Sequence, residues 1–238
     1  MVIIQTNIRK TRESWSPWEN TMLYLKFNNN LNDDSWNGRT VTNSWTVTYN
    51  QTPSAVNLTT SSYLYSNNFD DLTHDRTVNV WVNLNAWSAW NTEHICSVGW
   101  TQSANKVLFL WVSTWVHPSS TTWWPVGWLQ FAFFGTDYYT TWSVVTLNQR
   151  YNIVFTYNYT NKLAKAYVNW TNVLNQTFGT QYSLTTHNLC IWWRSEAMGD
   201  TWHRVQWSLS EYIIESKERT DEEINDYYNQ TKSLYGIS

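Results

Sequence analysis

The chain has 238 residues, a length that suits one large all-β domain, and a formal net charge of −3 with 14% charged residues. This charge excludes the basic field that a nucleic-acid partner requires. No apolar run approaches the roughly 18 to 20 residues that cross a bilayer, so the sequence predicts no membrane insertion.

The amino-terminal segment reads MVIIQTNIRKTRES, and its apolar run is only three residues long. No small-residue cleavage site follows, so the segment does not resemble a secretory signal peptide and predicts a chain that stays soluble where it is made. We interpret residues 1–19 as an extension that forms an edge strand or a linker, and residues 20–238 as a single domain.

Strand patterns follow along most of that domain, and each is bounded by clusters of Asn, Asp, Ser and Thr. They are rich in β-branched and aromatic residues. The clearest are TMLYLKF, SSYLYS, RTVNVWVNL, KVLFLWV, WLQFAFF, QRYNIVFTYN, KLAKAYVN and SLSEYIIES. In RYNIVFTYN, Tyr151, Ile153, Phe155 and Tyr157 alternate on one face, as in a strand that covers a core. The pattern predicts an antiparallel β-sandwich.

The two cysteines, Cys96 and Cys190, lie in separate apolar strand segments and are too far apart in sequence for a CxxC metal or redox pair. A buried disulfide and two buried free thiols both remain open, and we favour the free thiols.

One helix is predicted near the end of the chain, in ERTDEEINDYYNQTKSL. Thr220 and Glu223 have the spacing of a capping box, and acidic residues fill the first turn. Lys232 is expected in the last turn and Gly236 at the carboxyl end. The sequence thus predicts a short amphipathic helix that packs on the sandwich.

The composition contains 19 tryptophans but only 7 glycines, whereas average usage would give about 17 glycines. Several tryptophans stand in turn-forming sequence, where the backbone often needs the positive φ that glycine reaches freely. The sharpest case is Asn169-Trp170, because Asn-Gly between two strands is the strongest short hairpin signal.

Three explanations of these tryptophans remain open. They form an aromatic binding surface, or they are ordinary core residues, or many are glycines that were written as Trp because UGA codons were translated with the wrong genetic code. A mixture of genuine and misread residues fits best, since replacing every tryptophan would give more glycine than a β-sandwich normally holds.

Glycine at the suspect positions changes residues 167–170 to YVNG, residues 189–194 to LCIGGR and residues 206–214 to QGSLSEYII. Together with LYLKFNNNLNDDSWNGR, VNVWVNLN and TDEEI, these segments resemble, in order, the motifs of laminin G-like, concanavalin A-like jelly-roll domains. The resemblance covers residues 20 to about 235. It implies an all-β fold, a two-sheet antiparallel jelly-roll sandwich with a short C-terminal helix. The chain departs from the family at Asn28-Asn29, where Asp-Gly is usual, and at Tyr151, where Trp is frequent.

This resemblance sorts the tryptophans into three groups. Trp18 and Trp81 are predicted to be genuine, whereas Trp15, Trp45, Trp87, Trp90 and Trp202 are left unsorted. The predicted misread glycines are Trp36, Trp100, Trp111, Trp115, Trp123, Trp124, Trp128, Trp142, Trp170, Trp192, Trp193 and Trp207. A positive φ or an unpacked side chain at Trp170 or Trp193 would show that the backbone conformation there does not suit tryptophan.

A glycoside hydrolase is one enzyme that this fold could carry, because related glucanases place an ExDxE motif on one strand. Glu211 and Glu215 have the outer spacing and share one face of the strand, but Ile213 replaces the central Asp. Their Cα atoms are expected about 13 Å apart, whereas retaining hydrolysis needs carboxyl groups about 5 to 5.5 Å apart. We therefore predict that the chain is not an enzyme.

Binding candidates are few. Trp123, Trp124 and Trp128 are candidates for sugar stacking, because indole rings pack well on sugar faces. Asp70 and Asp71, like the doublet Asp33-Asp34, have oxygens that could bind Ca²⁺, although such doublets are more often turn formers. The histidines show no metal-ligand spacing, and no other cofactor is indicated.

The resemblance implies a non-catalytic binding or adhesion module that is extracellular or on a cell surface, with a glycan or a surface protein as its partner. A virion-displayed fibre or decoration domain is the first alternative, since the lack of a signal peptide is natural there. A glucanase that uses Glu211 and Glu215 is the second.

Overall fold

The computed structural model describes residues 19–44, 46–59, 62–70, 73–86, 92–98, 108–113, 127–133, 136–140, 142–181, 187–191 and 206–238. The strands are β1 (Thr21–Leu25), β2 (Thr42–Asn43), β3 (Thr48–Gln51), β4 (Ser54–Leu58), β5 (Leu64–Asp70), β6 (Arg76–Ala86), β7 (Thr92–Val98), β8 (Leu108–Ser113), β9 (Leu129–Phe133), β10 (Thr136–Tyr139), β11 (Arg150–Asn158), β12 (Leu163–Val168), β13 (Thr171–Thr177), β14 (His187–Ile191) and β15 (Gln206–Glu215). Helix α1 (Asp221–Thr231) and a 3-10 turn (Lys232–Tyr235) follow. The predicted extension, residues 1–19, lies almost wholly outside the described residues.

These strands form two antiparallel sheets that pack face to face. Sheet A has the order β13-β12-β11-β6-β15-β4-β3, and β1 also pairs with β15. Sheet B has the order β10-β9-β8-β7-β14-β5-β2. The structure confirms the predicted all-β sandwich with a short C-terminal helix, because a sheet with one apolar face must bury that face against a second layer.

Among the described residues, one large apolar core lies between the sheets, and alternation along each strand supplies its side chains. Ile153, Phe155 and Tyr157 of β11 point into it as predicted, and Val78 and Val80 of β6 lie directly opposite in the sheet register. The aromatic content of this core comes from phenylalanine and tyrosine as well as from tryptophan.

The cysteines lie on opposite faces of sheet B. Cys96 points into the core, whereas Cys190 pairs in register with Ser97, the next residue of β7, and therefore points away from it. Both thiols are buried and neither forms a disulfide, which agrees with the second of the two predicted alternatives. Burial raises the pKa of the Cys96 thiol to about 12, so the thiol stays protonated near neutral pH.

Strand β15 changes the face that it presents to the core at a bulge between Leu209 and Glu211. Leu209 points into the core before the bulge, and Tyr212 and Ile214 do so after it. The extra residue shifts the alternation by one position. Glu211 and Glu215 therefore share the outer face of sheet A, the face that α1 covers.

Helix α1 begins at the predicted cap. The Thr220 hydroxyl accepts from the Glu223 amide, and the Glu223 carboxylate accepts from the Thr220 amide, which completes the capping box. The helix ends earlier than expected, because Lys232 starts the 3-10 turn, and Gly236 caps that turn with φ +77°. Within the described ranges, no helix has the length and apolar character of a membrane span.

Candidate functional site

The outer face of sheet B is the first candidate site. We call it the sheet B face and define it by the side chains that point away from the core: His94, Ser97, Phe109, Trp111, Gln130, Ala132 and Cys190. His94, Trp111 and Gln130 are direct cross-strand neighbours, as are Ser97, Phe109 and Ala132. Two adjoining rows of side chains thus cross strands β7, β8 and β9.

Three rings pack together on this face. The His94 ring lies 4.9 Å from the Trp111 ring and 5.4 Å from the Phe109 ring between centroids. Phe109 and Trp111, two residues apart on β8, are nearly parallel, with an interplanar angle of 18°. His94 and Phe109 are buried, and Trp111 is partly exposed, so the cluster is accessible at the indole.

Two N–H donors on the sheet B face lack a hydrogen-bond acceptor. They are Trp111 Nε1 and Gln130 Nε2, and both are buried with no partner in the described part of the chain. A buried donor without a partner costs about 1 to 3 kcal/mol of stability, so unpartnered donors are rare in folded proteins. A ligand that brings an acceptor would satisfy these two donors, and a ligand with hydroxyl groups would suit their position beside aromatic rings.

The seven side chains that define the sheet B face include no Lys, Arg, Asp or Glu, and His94 is their one titratable group apart from a thiol. Nor do the described residues anywhere bring together three His, Cys, Asp or Glu side chains that could hold a metal ion. Asp137 of β10 stands opposite Ala132 in the sheet register, at the border of this face. Among the described side chains of this face, a carboxylate ligand would find no cationic partner.

The tryptophans predicted to bind sugar are only partly located. Trp128 is buried immediately before β9, two residues before Gln130 in the sequence. Trp123 and Trp124 lie outside the described residues. Sequence reasoning missed Gln130, His94 and Phe109, although the alternation in KVLFLWV and WLQFAFF does place Phe109 and Gln130 opposite the core residues.

The predicted hydrolase carboxylate Glu211 lies beneath the C-terminal segment. Tyr24 Oη donates to its Oε1 atom at 2.5 Å, Tyr235 Oη donates to Oε2 at 2.8 Å, and Tyr227 Oη also donates to Oε2. Burial first, and then the Glu211 charge, raise the pKa of Tyr227 and of Tyr235 well above the ordinary tyrosine value. We call Glu211 with these three tyrosines the tyrosine cage.

Glu215 is equally enclosed, because its carboxylate accepts from Arg219 Nε in a buried ion pair. Glu211 and Glu215 share a face as predicted, yet both are nearly inaccessible to solvent. A substrate could reach either carboxylate only by displacing α1. Their arrangement holds the helix on sheet A and does not form an open cleft for two carboxylates.

The calcium candidates behave as turn formers where they are described. The Asp33 carboxylate accepts from the amides of Tyr24, Ser35 and Arg39 and from the Ser35 hydroxyl. Asp34 forms an ion pair with Lys26 at 3.3 Å. Asp70 ends β5, but its side chain, like the whole of Asp71, lies outside the described residues.

The tryptophans that are predicted to be misread glycines differ in their backbone φ and in the exposed fraction of their side chains. Trp36, Trp142 and Trp170 are 81%, 58% and 51% exposed, but only Trp170 also has a positive φ, +68°, following Asn169 at +48°. Trp111 and Trp207 lie inside strands, and Trp207 fills the core, so their backbone gives no reason for glycine. Trp128 is buried and does not have a positive φ, so its backbone gives no reason for glycine either. The remaining predicted misread positions, Trp100, Trp115, Trp123, Trp124, Trp192 and Trp193, lie outside the described residues.

No protein-family model matches the chain, and no curated protein sequence matches it. Solved structures do share its fold. The binding domain of botulinum neurotoxin serotype D/C aligns with TM-score 0.69 and 15% identity over 91% of this chain and 52% of that chain. The ligand-binding domain of botulinum neurotoxin serotype D, in complex with N-acetylneuraminic acid, aligns with TM-score 0.66 and 16% identity over 88% of this chain and 50% of that chain.

A third structure is domain 4 of AbnA, a GH43 extracellular arabinanase from Geobacillus stearothermophilus, in complex with arabinotriose. It aligns with TM-score 0.61 and 18% identity over 87% of this chain and 97% of that chain. The chain therefore spans about half the length of the toxin domains but nearly all of the arabinanase domain. These likenesses establish the β-sandwich fold.

Proposed function

We propose that this chain is a non-catalytic carbohydrate-binding module whose ligand is a neutral oligosaccharide held on the sheet B face. The observation that carries the proposal is the buried, unpartnered Gln130 Nε2 beside the His94, Phe109 and Trp111 rings. Gln130 and His94 are as buried as Glu211, and Trp111 is the partly exposed member of their row, so the C–H side of the sugar first stacks on the Trp111 indole. A sugar hydroxyl then accepts from the Gln130 amide as the side chains on this face move apart.

The fold comparisons support a glycan and favour a neutral one. The arabinanase domain holds arabinotriose, an uncharged sugar, and this chain spans almost all of that domain. The neurotoxin domain holds N-acetylneuraminic acid, a carboxylate sugar, but this chain spans only half of it. The contact with the acidic sugar can therefore lie in the half that has no counterpart in this chain.

The location and the family are further parts of the proposal. A glycan ligand suits a module that is extracellular or on a cell surface, and the ordered motifs in residues 20–235 support a place among laminin G-like, concanavalin A-like domains. The Asn29 backbone, with φ +59°, supports the same family, because Asn tolerates the left-handed conformation at a position where the family usually has glycine.

Binding is tested by calorimetric titration of the chain with neutral arabino- and gluco-oligosaccharides and with sialylated ones. We expect binding of a neutral oligosaccharide and none of its sialylated counterpart. Preference for the sialylated ligand would contradict the neutral face. The absence of binding to every member of the panel would overturn the function.

The site is tested with Gln130→Leu, which keeps the side-chain volume but removes the unpartnered donor. We expect at least a tenfold loss of affinity together with a gain of about 1 kcal/mol in the free energy of unfolding, because a buried donor without an acceptor destabilises the free protein. Gln149→Leu, at an exposed position, is the matched control. Unchanged affinity in Gln130→Leu would remove the sheet B face as the site.

We also propose that residue 170 is glycine in the natural protein, because Asn169 and Trp170 adopt two successive positive φ values. The codons provide the test: UGA is expected at position 170 and UGG at position 81. UGG at position 170 would contradict the proposal. UGA at position 111 would remove the indole from the sheet B face and leave Gln130, His94 and Phe109 as the binding groups.

A further inference from the structure

The loop between β1 and β2 contains the one Asn-Gly dipeptide of the chain, Asn37-Gly38. Both residues are exposed, and Gly38 has φ +53° with open space where a Cβ would stand. An Asn that precedes glycine is chemically labile, because the next residue has no side chain to keep its backbone nitrogen away from the Asn side-chain carbon. The rate of reaction at this dipeptide then depends on how firmly the fold holds Asn37.

The reaction converts the side-chain amide into a carboxylate. The Gly38 backbone nitrogen loses its proton and forms a bond to Asn37 Cγ, while the bond from Cγ to Nδ2 breaks and the side-chain nitrogen leaves as ammonia. Water from the solvent then opens the succinimide ring at either carbonyl, which gives aspartate or isoaspartate at position 37. One water is consumed and one ammonia is released.

Hydrogen bonds fix both the side chain and the backbone of Asn37. Nδ2 donates to the Thr21 carbonyl of β1 at 2.8 Å and to the Met22 carbonyl at 3.3 Å. The backbone N–H donates to the Ser35 hydroxyl at 3.2 Å, and the Gly38 N–H, which must lose its proton, donates to the Ser35 carbonyl at 3.4 Å. The succinimide ring closes by rotation of the side chain against the Asn37-Gly38 peptide, and these bonds oppose that rotation.

The Asp33 carboxylate restrains the loop on both sides of the dipeptide. It accepts from the Ser35 amide at 2.9 Å on one side and from the Arg39 amide at 2.7 Å on the other. It also accepts from the Tyr24 amide of β1 at 2.9 Å, which ties the loop to sheet A. Asn37-Gly38 therefore lies inside a segment whose two ends are held by one carboxylate.

We propose that Asn37-Gly38 is a deamidation site that the folded protein keeps unreacted and that converts once this loop leaves β1. The conversion cannot be reversed by refolding. In the product a carboxylate oxygen takes the place of Nδ2 and meets the carbonyl oxygens of Thr21 and Met22, so that acceptors face acceptors. A chain that has opened and reacted therefore does not restore these contacts with β1.

The wild-type chain tests this proposal when it is incubated folded and, in parallel, unfolded in guanidinium chloride at the same mildly alkaline pH and temperature. Peptide mass spectrometry follows the gain of about 1 Da in the peptide that contains Asn37. We expect conversion in the folded chain to be at least about tenfold slower, because it must wait for the loop to open. Equal rates in the two states would overturn the proposal, as would the absence of conversion in the unfolded chain.

A variant of the restraining carboxylate tests the role of the loop. Asp33→Ala is expected to speed conversion of the folded chain at least about fivefold, because the loop amides lose their acceptor. Asp34→Ala is the matched control, since that carboxylate pairs with Lys26 and its loss should leave the rate unchanged. Both variants are compared at a temperature at which circular dichroism shows them folded. A folded Asp33→Ala chain that reacts as slowly as the wild type would overturn the protection by this loop.

Discussion

Trp81 suits the backbone conformation and the packing at its position, whereas Trp170 suits neither. Trp81 lies in β6 and is fully buried beneath α1, where its ring stacks on Tyr228 and its Nε1 atom donates to the Thr231 hydroxyl at 3.3 Å. Trp170 lies in the turn between β12 and β13, half exposed and with a positive φ. The same residue type stabilises one place and strains the other.

The difference shows that burial alone does not decide whether a tryptophan suits its position. Trp36 is more exposed than Trp170, yet it does not share the positive φ. An exposed indole loses the benefit of burial, but a left-handed indole also carries a backbone cost of about 1 to 2 kcal/mol. Backbone conformation therefore separates Trp170 from the other exposed tryptophans.

The largest expected effect comes from Trp81→Ala, which removes the well-packed indole between β6 and α1. We expect the free energy of unfolding to fall by about 3 to 5 kcal/mol, because the change leaves a cavity between β6 and α1. Urea denaturation measures the loss. Trp36→Ala, at an exposed position, is the control and should change stability by less than about 0.5 kcal/mol. Equal losses in the two variants would contradict the difference in packing.

The tyrosine cage beside Trp81 gives the next effect. In Glu211→Gln the side chain keeps its shape, but an NH₂ group replaces one of the oxygens that accept from the tyrosine hydroxyls. We expect a loss of about 2 kcal/mol, because buried donors then meet a donor. Glu222→Gln on the exposed side of α1 is the control. A Glu211→Gln variant as stable as the wild type would show that the cage does not hold the helix.

Alkaline pH tests the same cage without a mutation. The pKa of Tyr227 is raised above the ordinary value of 10.0, first by burial and then by the Glu211 charge, so folding favours the neutral phenol. Stability is therefore full below pH 10 and falls as the pH rises beyond it, by about 1 kcal/mol per pH unit for each such tyrosine. Thermal midpoints measured from pH 8 to 11 check this. Constant midpoints above pH 10 would contradict it.

The smallest expected effect is a gain in stability, and it tests the backbone strain at Trp170. Trp170→Gly is expected to raise the free energy of unfolding by about 1 kcal/mol, since glycine reaches positive φ without a steric cost. Trp36→Gly is the matched control, because it removes an exposed indole where φ is not positive, and it should give no gain. If both variants gained equally, indole exposure rather than backbone strain would be the cause.

Much of the fold could be predicted because its signals lie within a few residues of one another. The alternation in RYNIVFTYN fixed which side of β11 enters the core, and Thr220 with Glu223 fixed where α1 begins. Asn169-Trp170 likewise predicted the hairpin between β12 and β13, because the conformation of a tight turn depends on the residues in the turn itself.

Only the tertiary structure decided what surrounds Glu211 and Gln130. The bulge in β15 turned Glu211 towards the helix, where tyrosines from β1 and from the C-terminal segment enclose it. The register of β7, β8 and β9 placed His94, Trp111 and Gln130 in one row. Register and bulges are set by how two complete sheets bury their apolar faces together, so no local stretch of sequence contains them.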